Sequence, residues 1–423
     1  MHHFAYRSGV LHAEDVPIPE IARDVGTPFY CYSNATIQRH FEVFRGAFAD
    51  QNPLICYAMK ANSNQAVLAT LAHLGAGMDV VSEGELRRAR AAGVPGERII
   101  FSGVGKTRAE MNLALDQHIL CFNVESEPEL ETLSAVASAR GATAPIAIRV
   151  NPDVDARTHA KISTGKTENK FGIPISHARE VYAHARQLPG LSIRGVDLHI
   201  GSQITDLRPF DNAFALLADF VRTLRAEGHA IEHVDLGGGL GIPYRADKDP
   251  PPFPDAYAEI VSRHTRGLGC KVYLEPGRLI VGNAGALIAS VIFVKKGQRK
   301  SFVIVDAAMN DLVRPTLYDA HHDIQPVQAP ASHAARMMRA DVVGPVCESG
   351  DYLALSRDIA EVAAGDLIAV MTAGAYGAVL SSAYNSRLLV PEVMVKGAEY
   401  AVIRPRRTFE ELIALDTLPP WLR

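Results

Sequence analysis

The sequence predicts an N-terminal (β/α)8 barrel followed by an all-β domain, and three observations predict it. From residue 28 to about 280, eight short apolar runs alternate with longer helix-like stretches, the rhythm of strands joined by crossover helices. After residue 283 the runs are rich in β-branched residues and punctuated by Gly and Pro, as in an all-β domain. The chain has 423 residues, more than one hydrophobic core usually serves.

In chain order the eight runs are LICYA (54–58), GMDVV (77–81), RIIFS (98–102), ILCFN (119–123), IAIRV (146–150), RGVDLHI (194–200), IEHVDL (231–236) and KVYLE (271–275). Between them lie helix-like stretches. In DNAFALLADFVRTLRAEGH, Phe214, Leu217, Val221 and Leu224 recur at three- and four-residue steps, the stripe of an amphipathic helix. A doubly wound sheet would show the same alternation, so periodicity leaves both architectures open. The β domain is read from ALIASVIFV, SFVIVDA, ADVVGPVC, DYLALS and DLIAVM, with KKGQRK as a turn. A capping box, Thr408 and Glu411, marks a short final helix. The first 27 residues suit a strand and helix belonging to either part. The expected organisation is therefore 1–27, 28–282 and 283–423.

Composition narrows the function. Charged residues make up 21% and the net charge is −4, which offers no attraction to nucleic acid or an anionic membrane. No apolar run approaches a membrane span, and MHHFAYRSGV lacks a signal-peptide core. Cys31, Cys56, Cys121, Cys270 and Cys347 are scattered and odd in number, so a reducing cytoplasm is expected and a disulfide framework is not. The histidines form no HExxH or HxH cluster, and no metal site is expected.

Reactive groups in such a barrel gather at the carboxyl ends of its strands. Those ends carry Lys60 and Asn62; Asp79, Ser82 and Glu83; Arg149 and Asn151; His199, Gly201 and Ser202; Gly237 to Gly241; and Glu275 to Arg278. The triple glycine Gly237, Gly238, Gly239 lets backbone approach an anion, and Ser202 and the EPGR turn share that rim. A lysine at the mouth of a dry site becomes a nucleophilic amine. With a phosphate cradle, a carboxylate and a flat histidine, the economical cofactor is pyridoxal phosphate. Lys60 would attach covalently to its aldehyde, Glu275 would hold the proton on its ring nitrogen, and His199 would stack on the ring. Singly, each has a plainer reading: Lys60 reaching to solvent, Glu275 paired with Arg278, His199 a core histidine. Together at one rim they favour the cofactor.

The motifs YAMKAN, GMDVVSEGEL, HIGSQ, DLGGGLGIPY, EPGR, CESGD and AYGAVLSSAYNSR resemble those of the fold-type III pyridoxal-phosphate decarboxylases, in order, from about residue 26 to 410. The resemblance implies a barrel plus a β domain that takes its first strand from the N-terminal residues, and a homodimer with active sites at the interface. It implies decarboxylation of meso-2,6-diaminopimelate to L-lysine. Asp79, Pro276, Gly277, Arg278 and Tyr376 would join the cofactor site. Cys347, reaching in from the partner subunit, would return a proton to the new carbon. Arg278, Arg314, Tyr318 and Tyr376 would bind substrate, the arginines meeting its distal carboxylate, and Glu348 its distal ammonium. The segment 159–173 is read as a lid, with a surface insertion as the alternative; His159 and Lys170 are left without a role. Competing functions are decarboxylation of ornithine, arginine or a D-diamino acid, a non-catalytic pyridoxal-phosphate homologue, and a cofactor-free lysine aldolase.

Overall fold

Eight parallel strands close on themselves in one of the two units into which the chain divides, residues 38–243 and 249–280. They are Leu54–Ala58, Gly77–Val80, Ile99–Phe101, Cys121–Val124, Ala144–Asn151, Leu191–Leu198, His233–Asp235 and Lys271–Leu274. Each pairs with the next, and Lys271–Leu274 pairs back onto Leu54–Ala58. Closure excludes the doubly wound sheet, which has two edges. The structure, a computed structural model, describes residues 2–156, 158–162, 164–165, 169–245, 250–330 and 336–422.

All eight predicted runs coincide with barrel strands. Helix Arg208–Ala226 buries Phe214, Leu217, Val221 and Leu224, together with Phe210, so the sequence stripe is the barrel-facing side. Helix starts are set by short polar side chains: Ser82, Thr107 and Ser126 each accept the N–H of the third helical residue. Residues 163 and 166–168 of the expected lid, 159–173, lie outside the described residues. What is described there bonds to the loop after the sixth strand. Thr164 donates its N–H to the Ile200 carbonyl and its hydroxyl to that of His199, while Ser202 N–H donates to the Ile162 carbonyl.

The other unit comprises residues 1–37, a short piece beginning at Tyr244, and residues from 281 onward. The first half of its long strand Gly285–Lys296 lies between Phe29–Ser33 and Leu367–Val370, and the second half pairs with Ser301–Val305. Phe29–Ser33 also pairs with Glu392–Lys396. The expected barrel boundary at residue 28 is therefore too early: the fully buried FYCYS strand satisfies its ladder in the β unit. Strands Phe4–Arg7, Val10–Ala13 and Val16–Pro17 form a small sheet of their own, followed by helix Ile18–Val25. The apolar face of that helix joins Phe29, Cys31, Ala286 and Val393 in one core cluster. The final helix, Phe409–Ile413, carries the predicted Thr408–Glu411 capping box. Among the described residues no helix is long and apolar enough to cross a membrane.

Candidate active site

The first barrel strand does not run on past Ala58. It turns into a single 3-10 turn, Met59–Ala61, that buries Met59 and Ala61 on either side of Lys60. Tyr57 Oη donates to the Asn62 carbonyl at 3.0 Å and locks the turn from below. Anchored apolar neighbours thus present the ammonium, and Lys60 Nζ lies 3.0 Å from Asp79 Oδ2 on the second strand. Asp79 is fully buried, and its other oxygen has no hydrogen-bond partner among the described residues. Glu83, grouped with the site in the sequence, instead pairs with Arg87 on the surface. The inward acid of that helix is Glu85. Burial pushes its carboxyl up to about 7, against the bond from Val81 N–H and with a further push from Asp79.

The seventh and eighth strand ends interlock. Glu275 N–H donates to the Gly237 carbonyl at 2.8 Å, and Ala58 N–H donates to the Pro276 carbonyl at 3.1 Å. A Cβ at Gly237 would meet His199 Nδ1 at 2.5 Å, one at Gly238 the Glu275 carbonyl at 2.2 Å, and one at Gly239 the Gly201 carbonyl at 2.4 Å. Only glycine fits this run. The N–H groups of Gly237 and Gly238 are directed inward, to Asp235 Oδ1 at 3.0 Å and His199 Nδ1 at 3.1 Å. His199 therefore carries its proton on Nε2. Burial, with help from Arg149 and Lys60, drives its pKa well below the usual histidine value, so the ring is a neutral flat surface. Arg278 donates from Nε and from a terminal nitrogen to Ser202 Oγ at 3.3 and 3.0 Å, bringing two predicted rim residues together.

Beneath Glu275 lies a feature the sequence reading missed. Carboxylate oxygens of Asp197, Asp235 and Glu275 all lie within 4.8 Å of one another, and all three residues are buried. Strand register sets Arg149 against Asp197 and Asp197 against Asp235. Two like charges at that spacing repel by roughly 3 kcal/mol at an effective dielectric of about 20, so three cannot all be ionised. Accordingly burial, then the neighbouring acids, hold Glu275 well above the carboxylate range. Glu275 bonds to Asp235, and burial pushes Asp235 up to about 6 against the bonds from Gly237, Glu275 and Asn123. The other Glu275 oxygen, Oε1, is buried and has no hydrogen-bond partner among the described residues. The signal was legible: GVDLH and HVDLG each place one acid inside an apolar strand. Arg149 completes the network, donating to Glu125 at 3.0 Å and lying 4.0 Å from Asp197.

A raised Asp235 pKa means the folded chain holds that proton more tightly than the unfolded chain. Its stabilising effect is complete below about 3.8 and is lost as pH rises through about 6. The melting temperature of cofactor-free wild type is therefore expected to fall relative to Asp235→Asn over that range. Parallel curves in thermal unfolding of the two proteins would contradict this.

The remaining predicted residues lie in the β unit. Arg314 and Tyr318 open and close one short helix, Arg314–Tyr318. Arg314 is buried, not the solvated arginine its loop-like sequence would permit, and its guanidinium stacks 4.6 Å from the Tyr244 ring centre. Cys347 and Glu348 sit on an exposed loop whose base is tied by Asp351, which accepts Met309 and Val346 N–H, each at 2.7 Å. Cys347 N–H donates to Asn385 Oδ1 at 2.8 Å. Glu348 Oε1 accepts the Gly350 N–H at 3.2 Å. Tyr376 takes a left-handed backbone, φ 56°, rare for a non-glycine residue.

The donor set of the barrel mouth fits pyridoxal phosphate. Lys60 offers a primary amine that would attach covalently to the aldehyde, and the Glu275 oxygen with no hydrogen-bond partner among the described residues suits a ring N–H. His199 is a neutral ring, and the glycine run brings bare backbone to the rim where no side chain would fit. A parallel (β/α)8 barrel so furnished, with a β unit beside it in the chain, defines a pyridoxal-phosphate-dependent decarboxylase. Comparison with known proteins agrees: residues 34–282 match the family model "Pyridoxal-dependent decarboxylase, pyridoxal binding domain". The diaminopimelate decarboxylase of Zymomonas mobilis is 49% identical over 422 residues, 99% of each chain. That of Helicobacter pylori, solved with L-lysine, superposes with a TM-score of 0.89 at 42% identity, covering 94% of this chain and 98% of its own. That of M. jannaschii, also with L-lysine, gives 0.94 at 35% identity over 100% of both chains. The chain belongs to the diaminopimelate decarboxylase family.

Proposed function

We propose that this chain removes one carboxylate of meso-2,6-diaminopimelate as CO2 and leaves L-lysine, with pyridoxal phosphate as its cofactor. The observation that carries the reading is the buried Glu275 oxygen, which has no hydrogen-bond partner among the described residues, beside the Asp197–Asp235 pair in the barrel mouth that also presents Lys60. The cofactor, when bound, supplies a ring that accepts the electron pair left by departing CO2. Glu275 holds the proton on the ring nitrogen, Asp79 keeps the Lys60 ammonium in register, and His199 supports the ring without adding charge. Ser202, Gly237 to Gly239, Gly277, Arg278 and Tyr376 are assigned to the cofactor and its phosphate. Gly239 is favoured within the triplet because Gly237 and Gly238 N–H are already engaged.

Diaminopimelate has an amino acid group at each end, and ornithine and arginine lack the second carboxylate. We assign that carboxylate to Arg278, Arg314 and Tyr318, with Tyr376 also contacting substrate, and the distal ammonium to Glu348. The fixed placement of Arg314 supports this: its guanidinium is held against the Tyr244 ring, 4.6 Å from the ring centre, and by His322 Nε2 at 2.9 Å, so a planar fork is presented in one orientation. Purified protein loaded with cofactor is expected to release CO2 and L-lysine from meso-diaminopimelate and to leave L-ornithine and L-arginine unchanged. Strong ornithine turnover with none of diaminopimelate would overturn this. Retention of Lys60, Glu275 and Cys347 counts against a non-catalytic homologue.

The protein is further proposed to act as a cytoplasmic homodimer in which Cys347 of one protomer returns the proton at the site of the other. Five free cysteines suit a reducing compartment, and an exposed Cys347 suits a role toward a partner. Cys347→Ala should lower kcat by roughly 10²–10³-fold. If the sites are shared, mixing inactive Lys60→Ala and Cys347→Ala protomers should restore about a quarter of wild-type activity, because half the dimers then carry one native site. No recovery on mixing, with dimers confirmed by light scattering, would count against a shared site.

A further inference from the structure

His322 lies between the helix Arg314–Tyr318 and the strand Ile324–Pro326, and it is completely buried. Both ring nitrogens have assigned partners. Nδ1 lies 2.8 Å from the Met371 carbonyl, which can only accept, so Nδ1 carries the hydrogen. Nε2 lies 2.9 Å from a terminal nitrogen of Arg314, which can only donate, so Nε2 offers its lone pair. A ring with one N–H and one lone pair is neutral. The carbonyl that sets this tautomer is rigid: Met371 N–H donates to the Asp323 carbonyl, and Ile324–Pro326 pairs with Leu367–Val370. Tyr244 completes the frame, face-on to Arg314 at 4.6 Å and edge-on to His322 at 5.4 Å and 84°.

We infer that His322 is a positioning residue that fixes the Arg314 guanidinium for the substrate's distal carboxylate through a neutral acceptor. A carboxylate in its place would anchor the arginine equally well but would cancel the charge the substrate needs. The imidazole gives direction and takes no charge. The inference rests on the assignment of Arg314 to that carboxylate made above.

The two roles of the ring can be separated by amides. The asparagine side-chain nitrogen falls near Nδ1 and the glutamine side-chain oxygen near Nε2. His322→Asn thus keeps a donor for Met371 and loses the acceptor for Arg314, whereas His322→Gln keeps the acceptor. With holoenzyme, His322→Asn should raise KM for meso-diaminopimelate roughly tenfold or more, with kcat within about twofold, as for lost uniform binding. His322→Gln should recover most of the loss. Decarboxylation at one end leaves the amino acid at the other intact, so L-lysine carries the same distal carboxylate. Its calorimetric Kd should weaken in parallel, while inhibition by 1,5-diaminopentane, which has no carboxylate, should not change.

Equal effects of the two amides, or equal weakening of lysine and the diamine, would overturn the inference. Should His322→Asn fail to fold, His322→Leu is the second acceptor-free variant, with the same expectation. Arg314→Ala run alongside separates the two levels. If it raises KM and the acceptor-free variants do not, the positioning role falls and the substrate assignment stands. If Arg314→Ala leaves KM unchanged, the assignment itself falls and this inference with it.

Discussion

Lys60→Ala is expected to abolish covalent retention of the cofactor and to lower kcat by at least roughly 10³-fold. The position is specified by more than its amine. The 3-10 turn Met59–Ala61 is clamped by two buried side chains and by the bond from Tyr57, so the ammonium is delivered to one place, 3.0 Å from Asp79. Alanine also strands Asp79, a fully buried carboxylate, and part of any loss would come from that uncompensated charge. Lys60→Arg separates the two causes. It keeps a cation for Asp79 but cannot form the bond to the aldehyde, so it should fold as wild type does and remain inactive. Mass spectrometry after borohydride reduction reads the outcome directly. A cofactor adduct on a residue other than Lys60 would sink the assignment, and an active Lys60→Arg variant would sink it equally.

The second large effect is expected at Glu275. Glu275→Gln keeps the shape, the backbone bond to Gly237 and an oxygen facing the ring site, and removes only the ability to become an anion. A ring nitrogen holds its proton when an anion faces it, and the electron sink weakens when that anion is replaced by a neutral amide. We expect kcat to fall roughly 10²–10³-fold, with cofactor affinity changed by less than about tenfold. The acids beneath Glu275 explain the asymmetry. With no cation bound, mutual repulsion and burial keep the cluster partly protonated. Glu275, whose Oε1 has no hydrogen-bond partner among the described residues, would carry the negative charge opposite a protonated ring nitrogen if the cofactor were bound. A kcat within threefold of wild type would show that charge at position 275 does not matter to the reaction.

Much of the barrel was legible because each strand is short, apolar and closed by a turn signal, and periodicity reports burial directly. The candidate site residues on strand ends were picked out for the same reason: a charged or glycine residue interrupting an apolar run, as at Lys60, Gly237 and Glu275, stands out. Asp197 and Asp235 interrupt their runs too, yet a single acid in one strand says nothing about its neighbours. Only closure of the sheet, which sets residue 197 beside 235 and carries 275 onto the same layer, turns separate acids into a coupled cluster. Glu83 and Glu85 show a related limit. Both begin one helix, and the helical rotation that turns Glu85 inward and Glu83 to solvent depends on where Ser82 caps it.

Resemblance of motifs, not a local rule, supplied the arginines proposed for a second carboxylate; by itself the sequence determined the barrel strands and the glycine run and offered Lys60 and Glu275 as candidates for the cofactor site. These follow from local rules: alternation of apolar runs, the absence of a Cβ, and the rarity of a cation at the end of a buried strand. Tertiary structure alone decided that Phe29–Ser33 belongs to the β unit, that Arg314 is buried, and that His322 bonds it as a neutral ring. The reason is that pairing, burial and protonation are properties of neighbours brought together by folding, and one chain position does not carry its neighbours with it.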